Sequence, residues 1–298
     1  MKVLVAGGTG FIGSCLCRAL ADAGHEVTAL SRSAEDAPDG VESAVGDVTD
    51  FDSISDAVDG QDAVVNLVAL SPLFEPKGGN VMHDRIHRGG TETLVRAAES
   101  GGVDRFVQLS ALGADPDGDT AYIRAKGRAE AVVRESDLDW TILRPSVVFG
   151  DGGEFVSFTK RLKGMFAPGV PLYPLPGGGK TRFQPIHVRD LVPMLVAALE
   201  YDVHVGETYE IGGPEALTLR EVTDLVYEAE DAGVTVVPLP MPLARIGLTV
   251  LGAVPGFPMG PDQYRSLRFD NTTADNDVGA FGVEPGEMTT LAAHLGLE

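Results

Sequence analysis

The sequence predicts an α/β fold, a doubly wound parallel sheet with helices on both faces, together with a small C-terminal lobe. Short apolar runs alternate with segments of helical periodicity through the first half of the chain, as in strands joined by crossover helices. A glycine-rich turn follows the first apolar run directly. The length of 298 residues is enough for one large domain and a smaller one.

In the first half, apolar runs alternate with helical patterns. The strands are predicted at 2–6, 26–30, 41–45, 63–68, 105–109 and 140–143. The helices are predicted at 11–23, 52–59, 87–100 and 121–136.

The amino-acid composition of the chain changes after Pro145. Glycine- and proline-rich segments such as 168–179 suit loops better than packed helices. We therefore expect a large domain at 1–150 and a smaller lobe at 151–298, some of whose segments return to the main sheet. Later elements are a strand at 208–211, a helix after Thr218 with Glu221 completing a capping box, and a strand at 234–237.

The composition is strongly acidic, with a formal net charge of −21. Binding to nucleic acid needs lysine and arginine to displace counterions, so this charge opposes it. Lysine is scarce, which together with the charge is typical of salt-accumulating organisms such as haloarchaea, because molar salt shortens the Debye length to about 3 Å. An ordinary acidic cytosolic protein is the alternative.

Membrane, secretion and metal signals are weak. No run reaches the roughly 18 apolar residues that span a bilayer, and a strand pattern begins at Met1 without signal-peptide architecture, so a cytoplasmic protein is expected. Cys15 and Cys17 lie two residues apart on different sides of the first predicted helix. Neither a disulfide nor a metal site is indicated.

The glycine-rich turn has the spacing of a dinucleotide-binding Rossmann fold. Glycines let the chain turn sharply, approach a pyrophosphate and pack the helix on the strand, while the helix N-terminus offers amide donors. The residues expected to hold the phosphates are Gly7, Thr9, Gly10, Phe11, Ile12 and Gly13.

The end of the second strand favours NADP(H) over NAD(H). The sequence there is Ser31-Arg32-Ser33, without the acid that usually accepts from a ribose 2′-hydroxyl. Arg32 can offer a planar fork to a 2′-phosphate, or it is a solvated loop arginine. After the third strand, Asp47 and Val48 are placed to border the adenine, although Asp47 could instead only form its turn.

A candidate catalytic group follows the fifth strand. Ser110 ends that strand, and Tyr122 and Lys126 are four residues apart, which places them on one helix face. The lysine charge can lower a phenol pKa that is otherwise about 10, so Tyr122 could act as general acid and base while Ser110 holds the same substrate oxygen. The alternative is an exposed helix pair without chemistry.

These motifs resemble the extended and atypical short-chain dehydrogenases/reductases along nearly the whole chain. Further matches are Leu143 to Gly150 and Phe183 to Asp190. The segment Tyr209 to Pro214 and the tail resemble the branch that contains the nucleotide-binding accessory subunit of respiratory complex I and nucleoside-diphosphate-sugar epimerase-like proteins.

The resemblance implies further site residues. It places Pro145, Ser146 and Val147 beside the nicotinamide, and Gln184 and His187 at the substrate cleft, although His187 could be a purely structural residue. His87 stands where many members carry an asparagine, which puts their proton-relay water in doubt.

Two acid-free runs interrupt the acidic chain. The first, 155–189, carries only basic charges: Lys160, Arg161, Lys163, Lys180, Arg182 and Arg189. The second, 232–261, has Arg245 as its only formal charge and an apolar stretch at 246–254. We expect the two runs to form the wall and lid of a cleft, with Arg161 and Arg182 facing an anionic substrate. Burial as core, or docking of a protein or membrane surface, are the alternatives.

Two functions remain open from the sequence. One is an NADP(H)-dependent oxidoreductase or sugar-nucleotide epimerase or reductase that acts on a small molecule. The other is an NADPH-binding accessory or sensor protein without turnover, associated with a respiratory complex or peripherally with a membrane.

Overall fold

The computed structural model describes residues 1–33, 37–252 and 259–297. The chain forms two compact units, each built from more than one segment. The first unit comprises Met1–Leu70, Pro76–Arg144 and Val188–Glu210. The second comprises Ser71–Glu75, Pro145–His187 and Ile211–Glu298.

The strands, in chain order, are β1 (Lys2–Ala6), β2 (Glu26–Ser31), β3 (Glu42–Val45), β4 (Ala63–Asn66), β5 (Arg105–Leu109), β6 (Asp139–Pro145), β7 (Val148–Phe149), β8 (Leu172–Pro176), β9 (Arg182–Phe183), β10 (Ile186–His187), β11 (Thr208–Ile211), β12 (Leu217–Thr218) and β13 (Thr235–Leu239).

The α-helices are α1 (Phe11–Asp22), α2 (Phe51–Val58), α3 (Val81–His83), α4 (Gly90–Ser100), α5 (Ala121–Arg134), α6 (Glu154–Phe166), α7 (Val188–Glu200), α8 (Leu219–Glu228), α9 (Met241–Gly252), α10 (Pro261–Ser266) and α11 (Leu291–His294). A π-helical segment, Asp84–Gly89, joins α3 to α4, and short 3₁₀ turns occupy Asp202–His204, Asp277–Phe281 and Pro285–Glu287.

The central sheet has the order β11-β6-β5-β4-β1-β2-β3. Each neighbouring pair among β6, β5, β4, β1, β2 and β3 is parallel. The direction in which the strands are added to the sheet reverses between β1 and β4. This is the Rossmann arrangement, in which ligands bind beyond the carboxyl ends of the strands at the reversal. The predicted fold class is confirmed.

The core of the sheet follows from strands that are apolar on both faces. Residues Val3–Ala6 of β1 and Ala63–Val65 of β4 are wholly buried, as expected where helices cover both sides of a parallel sheet. Strand β4 ends at Asn66, two residues before the predicted end, because the Asn66 side chain accepts the Val68 N–H at 3.1 Å.

One helix boundary in the first half is wrong. The helix predicted to begin at residue 87 is preceded by helical structure from Val81, through α3 and the π-helical segment. A turn closed by i→i+5 bonds holds more residues than an α-turn. The apolar spacing expected of an α-helix is therefore absent from this stretch of the sequence.

The second unit contains more regular structure than expected. Strand β8 lies inside the segment predicted to be loop, and its Tyr173 and Leu175 are fully buried. Alternation of inward and outward side chains over five residues was concealed by the intervening prolines, which a two-stranded ribbon with β13 tolerates. Helices α6 and α9 also lie where no helix was predicted.

The second acid-free run is only half buried. Within α9, Ala244 and Leu248 are buried, whereas Leu243, Ile246 and Val250 are 55%, 61% and 62% exposed. Burial as core therefore accounts for one face of this helix. The end of the predicted apolar stretch, residues 253–254, lies outside the described residues.

Both cysteines are free, and Cys17 is buried with its Sγ 3.6 Å from the Gly8 carbonyl oxygen. Burial raises the pKa of the Cys17 thiol to about 12. Across the described ranges, no helix has the length and apolar character needed to cross a bilayer.

The N-cap of α8 gives a direct test of the fold. The Thr218 side chain accepts the Glu221 N–H, and Glu221 accepts the Thr218 N–H. Replacing Thr218 with alanine should lower the free energy of unfolding by about 1 kcal/mol. The Glu221 N–H loses its acceptor, and the reciprocal bond from the Thr218 N–H to Glu221 loses its support. Chemical denaturation measures this loss. Thr249→Ala, in the exposed middle of α9, should change it by less than about 0.5 kcal/mol, and equal effects would contradict the capping role.

Candidate cofactor and catalytic site

The turn between β1 and α1 is built by glycine. Gly7 has φ +83°, a left-handed conformation that favours glycine. A Cβ on Gly13 would lie 2.1 Å from the Gly7 carbonyl oxygen, so the first turn of α1 packs directly on the chain leaving β1. The Gly10 N–H bonds to the Gly7 carbonyl at 3.0 Å, and α1 begins at Phe11.

This cradle fits a dinucleotide pyrophosphate. No side chain caps the N-terminus of α1, so its first backbone amides and the positive end of the helix dipole are available to an anion. The turn lies beside the point where the strand order reverses.

The ends of β2 and β3 lie side by side. Ser31 pairs with Val45 across the two strands, and the Gly46 N–H donates to the Ser31 carbonyl at 2.9 Å. The Ser31 hydroxyl donates to the Ser33 carbonyl. Arg32 is exposed between these serines. The chain thus presents one exposed guanidinium at the position that discriminates between the two nicotinamide cofactors.

Asp47 organises the turn after β3. Its Oδ1 accepts from the Thr49 N–H and hydroxyl, both at 2.9 Å. The Thr49 N–H lowers the pKa of Asp47 most, against partial desolvation, and the charges of Arg32 and Arg85 lower it further. The turn-forming role considered for Asp47 is present.

Tyr122 and Lys126 lie together on α5. Lys126 is 2% exposed, its Nζ lies 5.9 Å from the centre of the Tyr122 ring, and it donates to the Leu109 carbonyl at 2.9 Å. Tyr122 is half-buried. The alternative of an exposed pair is wrong, because Lys126 is buried at the end of β5 and the Tyr122 ring packs against the rings of His83 and His87.

Two histidines enclose the Tyr122 ring, and sequence reasoning missed one of them, His83. The rings of His83 and His87 are stacked at 5.6 Å, and each meets Tyr122 edge-on, at 5.6 and 5.3 Å. Nε2 of His87 accepts the Leu70 N–H at 3.4 Å, so its proton is on Nδ1. Burial, and then the Lys126 charge, hold the pKa of His87 well below its usual value.

Burial dominates the protonation of the pair. It lowers the pKa of Lys126 to about 8, with Glu130 acting in the opposite direction. Burial also raises the pKa of Tyr122 above its usual value. The expectation that the Lys126 charge lowers this pKa is therefore wrong for the protein without a cofactor. Tyr122 is therefore a protonated phenol at neutral pH, ready to donate.

A buried carboxylate that sequence reasoning also missed anchors the other candidate, Ser110. Glu130 is 1% exposed and accepts from the Ser110 hydroxyl at 2.5 Å. It also accepts from Arg144 Nε at 2.8 Å and Nη2 at 2.6 Å, and from Arg134 Nη2 at 2.9 Å. The Ser110 proton is thus engaged, and a substrate oxygen would have to compete with a carboxylate for it.

In the second unit, Ser146 and Val147 share one partner. The Ser146 hydroxyl donates to the Asn271 side-chain oxygen at 2.8 Å, and the Val147 N–H donates to the same atom at 3.2 Å. Pro145 ends β6 immediately before them. This turn is therefore fixed by a residue far along the sequence.

Gln184 and His187 also lie in the second unit. The Gln184 Oε1 accepts the Thr273 N–H at 3.1 Å, and its Nε2 donates to the Gly213 carbonyl at 3.0 Å. His187 is 4% exposed, and its ring is 5.0 Å from that of Phe149. Both side chains are thus held by contacts with other residues of the second unit.

Two cations of the basic run pair with acids from elsewhere in the chain. Lys160 pairs with Glu230. Arg182 Nη2 is 2.9 Å from Asp270 Oδ2. Acids distant in sequence therefore reach both cations. Arg161 lies over the Phe74 ring at 4.4 Å.

Comparison with known proteins agrees with this geometry. A family model described as NAD(P)H-binding matches residues 7–164, and the chain belongs to that family. Among its relatives is the mitochondrial NADH dehydrogenase [ubiquinone] 1 alpha subcomplex subunit 9 of Arabidopsis thaliana, 31% identical over 91% of this chain and 71% of that protein. The NAD(P)H azoreductase of Xenophilus azovorans is 31% identical over 84% of this chain and 81% of that protein.

Solved structures share the fold. A nucleoside-diphosphate-sugar epimerase from Staphylococcus aureus superposes with a TM-score of 0.76 at 19% identity, covering 100% of both chains. The UDP-glucose 4-epimerase of Thermotoga maritima gives 0.72 at 20% identity, covering 100% of this chain and 97% of the other. The resemblance to extended short-chain dehydrogenases/reductases is thus confirmed.

The buried Glu130 carboxylate should contribute strongly to stability. Glu130→Gln removes the charge that Arg144 and Ser110 bind and should lower the free energy of unfolding by about 2–3 kcal/mol. Denaturant unfolding measures the loss. The control is Glu92→Gln, whose partner Arg88 is exposed and which should cost less than about 1 kcal/mol. Losses of equal size would show that the Glu130 bonds add nothing beyond a surface pair.

Proposed function

We propose that the protein is a cytoplasmic NADP(H)-dependent oxidoreductase in which Tyr122 transfers the proton and Lys126 assists it. The observation that carries this proposal is the pair formed by the half-buried Tyr122 and the buried Lys126, whose Nζ reaches the end of β5, one strand away from the β1 and β4 pair where the strand order reverses. A tyrosine next to a buried lysine, in the same unit as a nucleotide cradle, is expected of a site that moves a proton.

The cofactor would be held by the first unit's own residues. The amides of the 7–13 turn suit the pyrophosphate, and Lys126 suits the nicotinamide ribose. A nicotinamide dinucleotide, when bound, supplies or accepts the hydride. In the second unit, Pro145, Ser146 and Val147 are proposed to border the nicotinamide.

Tyr122 would complete the proton balance of the reaction. In the reducing direction its phenol gives a proton to the carbonyl oxygen while the carbonyl carbon gains the hydride, and the phenolate is reprotonated from water. In the oxidising direction it takes the proton of the alcohol. His87 would stay neutral, which leaves Lys126 as the nearby cation.

NADP(H) is proposed over NAD(H) because the strand end offers Arg32 to the ribose. One charge-assisted contact to a phosphate contributes roughly 1.5–3 kcal/mol. Arg32→Ala should therefore weaken NADP(H) binding at least about tenfold and leave NAD(H) binding nearly unchanged, as measured by calorimetric titration of each cofactor. Equal weakening of the two would refute the assignment of Arg32.

The substrate is proposed to be a small anionic molecule. Arg161 and Arg182 are exposed basic residues of the second unit, and Gln184 and His187 are the neighbouring candidates along the chain. Sugar nucleotides are one such class, since the Thermotoga maritima epimerase structure contains UDP-glucose. Arg182 pairs with Asp270, whereas no acid of the described residues contacts the Arg161 guanidinium. Arg161 is therefore the first residue to mutate.

A second candidate function is an accessory or sensor protein that binds NADPH without turnover. The observation that favours it is the Ser110 hydroxyl engaged by Glu130, which leaves Tyr122 without a free serine partner. A relative's name, a subunit of an NADH dehydrogenase, is consistent with association with a respiratory complex. Both functions use the same cofactor site.

Tyr122→Phe separates the two functions. In an oxidoreductase this variant should lose most of kcat, at least about a hundredfold, while NADPH affinity stays within a factor of about two, because only the proton-transferring hydroxyl is removed. The assay is NADPH oxidation against panels of carbonyl compounds and quinones. Lys126→Ala should reduce both affinity and rate.

Two outcomes would argue against the oxidoreductase. A fully active phenylalanine variant places the proton transfer elsewhere, and a wild-type protein that binds NADPH but oxidises it with no panel member favours the accessory function. We also propose that the acidic surface is an adaptation to high salt, so the assays are run in molar KCl and repeated at low salt.

A further inference from the structure

We propose that Arg85 is a second cation for the 2′-phosphate of NADP(H), acting together with Arg32, and is thus a determinant of cofactor preference. The inference rests on the NADP(H) preference proposed above and extends it to a residue outside the β2 strand end. Nothing in the spacing of the sequence singles out Arg85, which lies in the π-helical segment between α3 and α4.

The strand ends bring Arg32 close to the turn that Asp47 forms. Ser31 pairs with Val45, and the Gly46 N–H bonds to the Ser31 carbonyl. The residues that follow, Arg32 on one strand and Asp47 on the other, therefore leave the sheet as neighbours. A ribose phosphate placed at the end of β2 would lie beside both.

The π-turn directs Arg85 to the same place. The Gly90 N–H bonds back to the Arg85 carbonyl, five residues earlier, so Arg85 stands one wide turn before Gly90 on the same side of the helix. That side faces the Asp47 turn, because a Cβ on Gly90 would lie 2.8 Å from Val48 Cγ2. In a regular α-helix, residues five apart do not share a face.

The charges agree with this placement. After the Thr49 bonds and partial desolvation, Arg32 and Arg85 are the groups that bear on the pKa of Asp47, and both lower it. Both arginines are exposed, and within the described ranges neither forms an ion pair with an acid. The chain as a whole carries −21, so two basic side chains beside one turn form a local site of positive charge that suits an anion.

Asp47 alone does not account for two arginines. Its Oδ1 accepts from the Thr49 N–H and hydroxyl, and within the described ranges neither arginine donates to the carboxylate. A phosphate monoester carries close to two negative charges at neutral pH and several acceptor oxygens, which two guanidinium groups can bind from different sides.

The same helix supplies a matched control. Arg88 lies three residues after Arg85 and is also an arginine of the π-helical segment. Its guanidinium is bound by Asp84 at 3.2 Å and by Glu92 at 2.7 Å. Arg88 is therefore occupied by acids of its own helix, and its replacement tests the loss of a helix cation without loss of the proposed contact.

The experiment is calorimetric titration of the wild type, Arg85→Ala, Arg85→Gln and Arg88→Ala with NADP⁺ and NAD⁺, and with 2′,5′-ADP as a probe without nicotinamide. We expect both Arg85 variants to weaken NADP⁺ and 2′,5′-ADP binding about tenfold. In the Arg85 variants, NAD⁺ binding and the melting temperature should stay near the wild-type values, and Arg88→Ala should change none of the three binding affinities.

The results separate this inference from the proposed function. Unchanged NADP⁺ affinity in the Arg85 variants, or equal losses for NADP⁺ and NAD⁺, overturns the role of Arg85 even if Arg32→Ala proves selective. A wild-type protein that binds both cofactors equally overturns the NADP(H) preference and the inference with it. Because binding is the readout, the absence of turnover would leave the test intact.

Discussion

The buried Glu130 carboxylate is the interaction on which the candidate catalytic site depends. It joins Ser110 at the end of β5, Arg134 on α5 and Arg144 on β6 through charge-assisted hydrogen bonds. An unpaired carboxylate at this depth would be strongly unfavourable, so the strands and the helix are held in one relative position. That position places Lys126, one helical turn before Glu130, where its Nζ donates to the Leu109 carbonyl at the end of β5. The catalytic candidates and the stability of the first unit therefore share one network.

The sequence predicted most of the first unit because its signals are local. The apolar runs of β1 and β4, the glycine turn after β1 and the four-residue spacing of Tyr122 and Lys126 each depend on neighbours along the chain. The same holds for the capping box at Thr218. These features are fixed by backbone geometry and helical periodicity, which a single sequence displays directly.

The remaining features depend on partners distant in sequence. The sequence alone predicts that Glu130 is an ordinary exposed helix acid, because its partner Arg144 is close only in the folded chain. Lys160 and Arg182 stand in an acid-free run of the sequence. The acids that pair with them, Glu230 and Asp270, are distant along the chain. The π-turn has no periodicity that an α-helical pattern can match, so neither its start nor the direction of Arg85 could be deduced. Strand β8 was concealed because its prolines resemble loop residues.

The burial of Lys126 has a consequence for proton linkage. An unfolded lysine titrates near 10.5, whereas the folded chain lowers this pKa to about 8. Between these values the unfolded state binds more protons, so the Lys126 contribution makes the native state more stable as the pH rises through this range. Cofactor binding through the ammonium form would take up a proton in the same range. For this one side chain, alkaline conditions thus favour the folded chain alone and disfavour its complex with the cofactor.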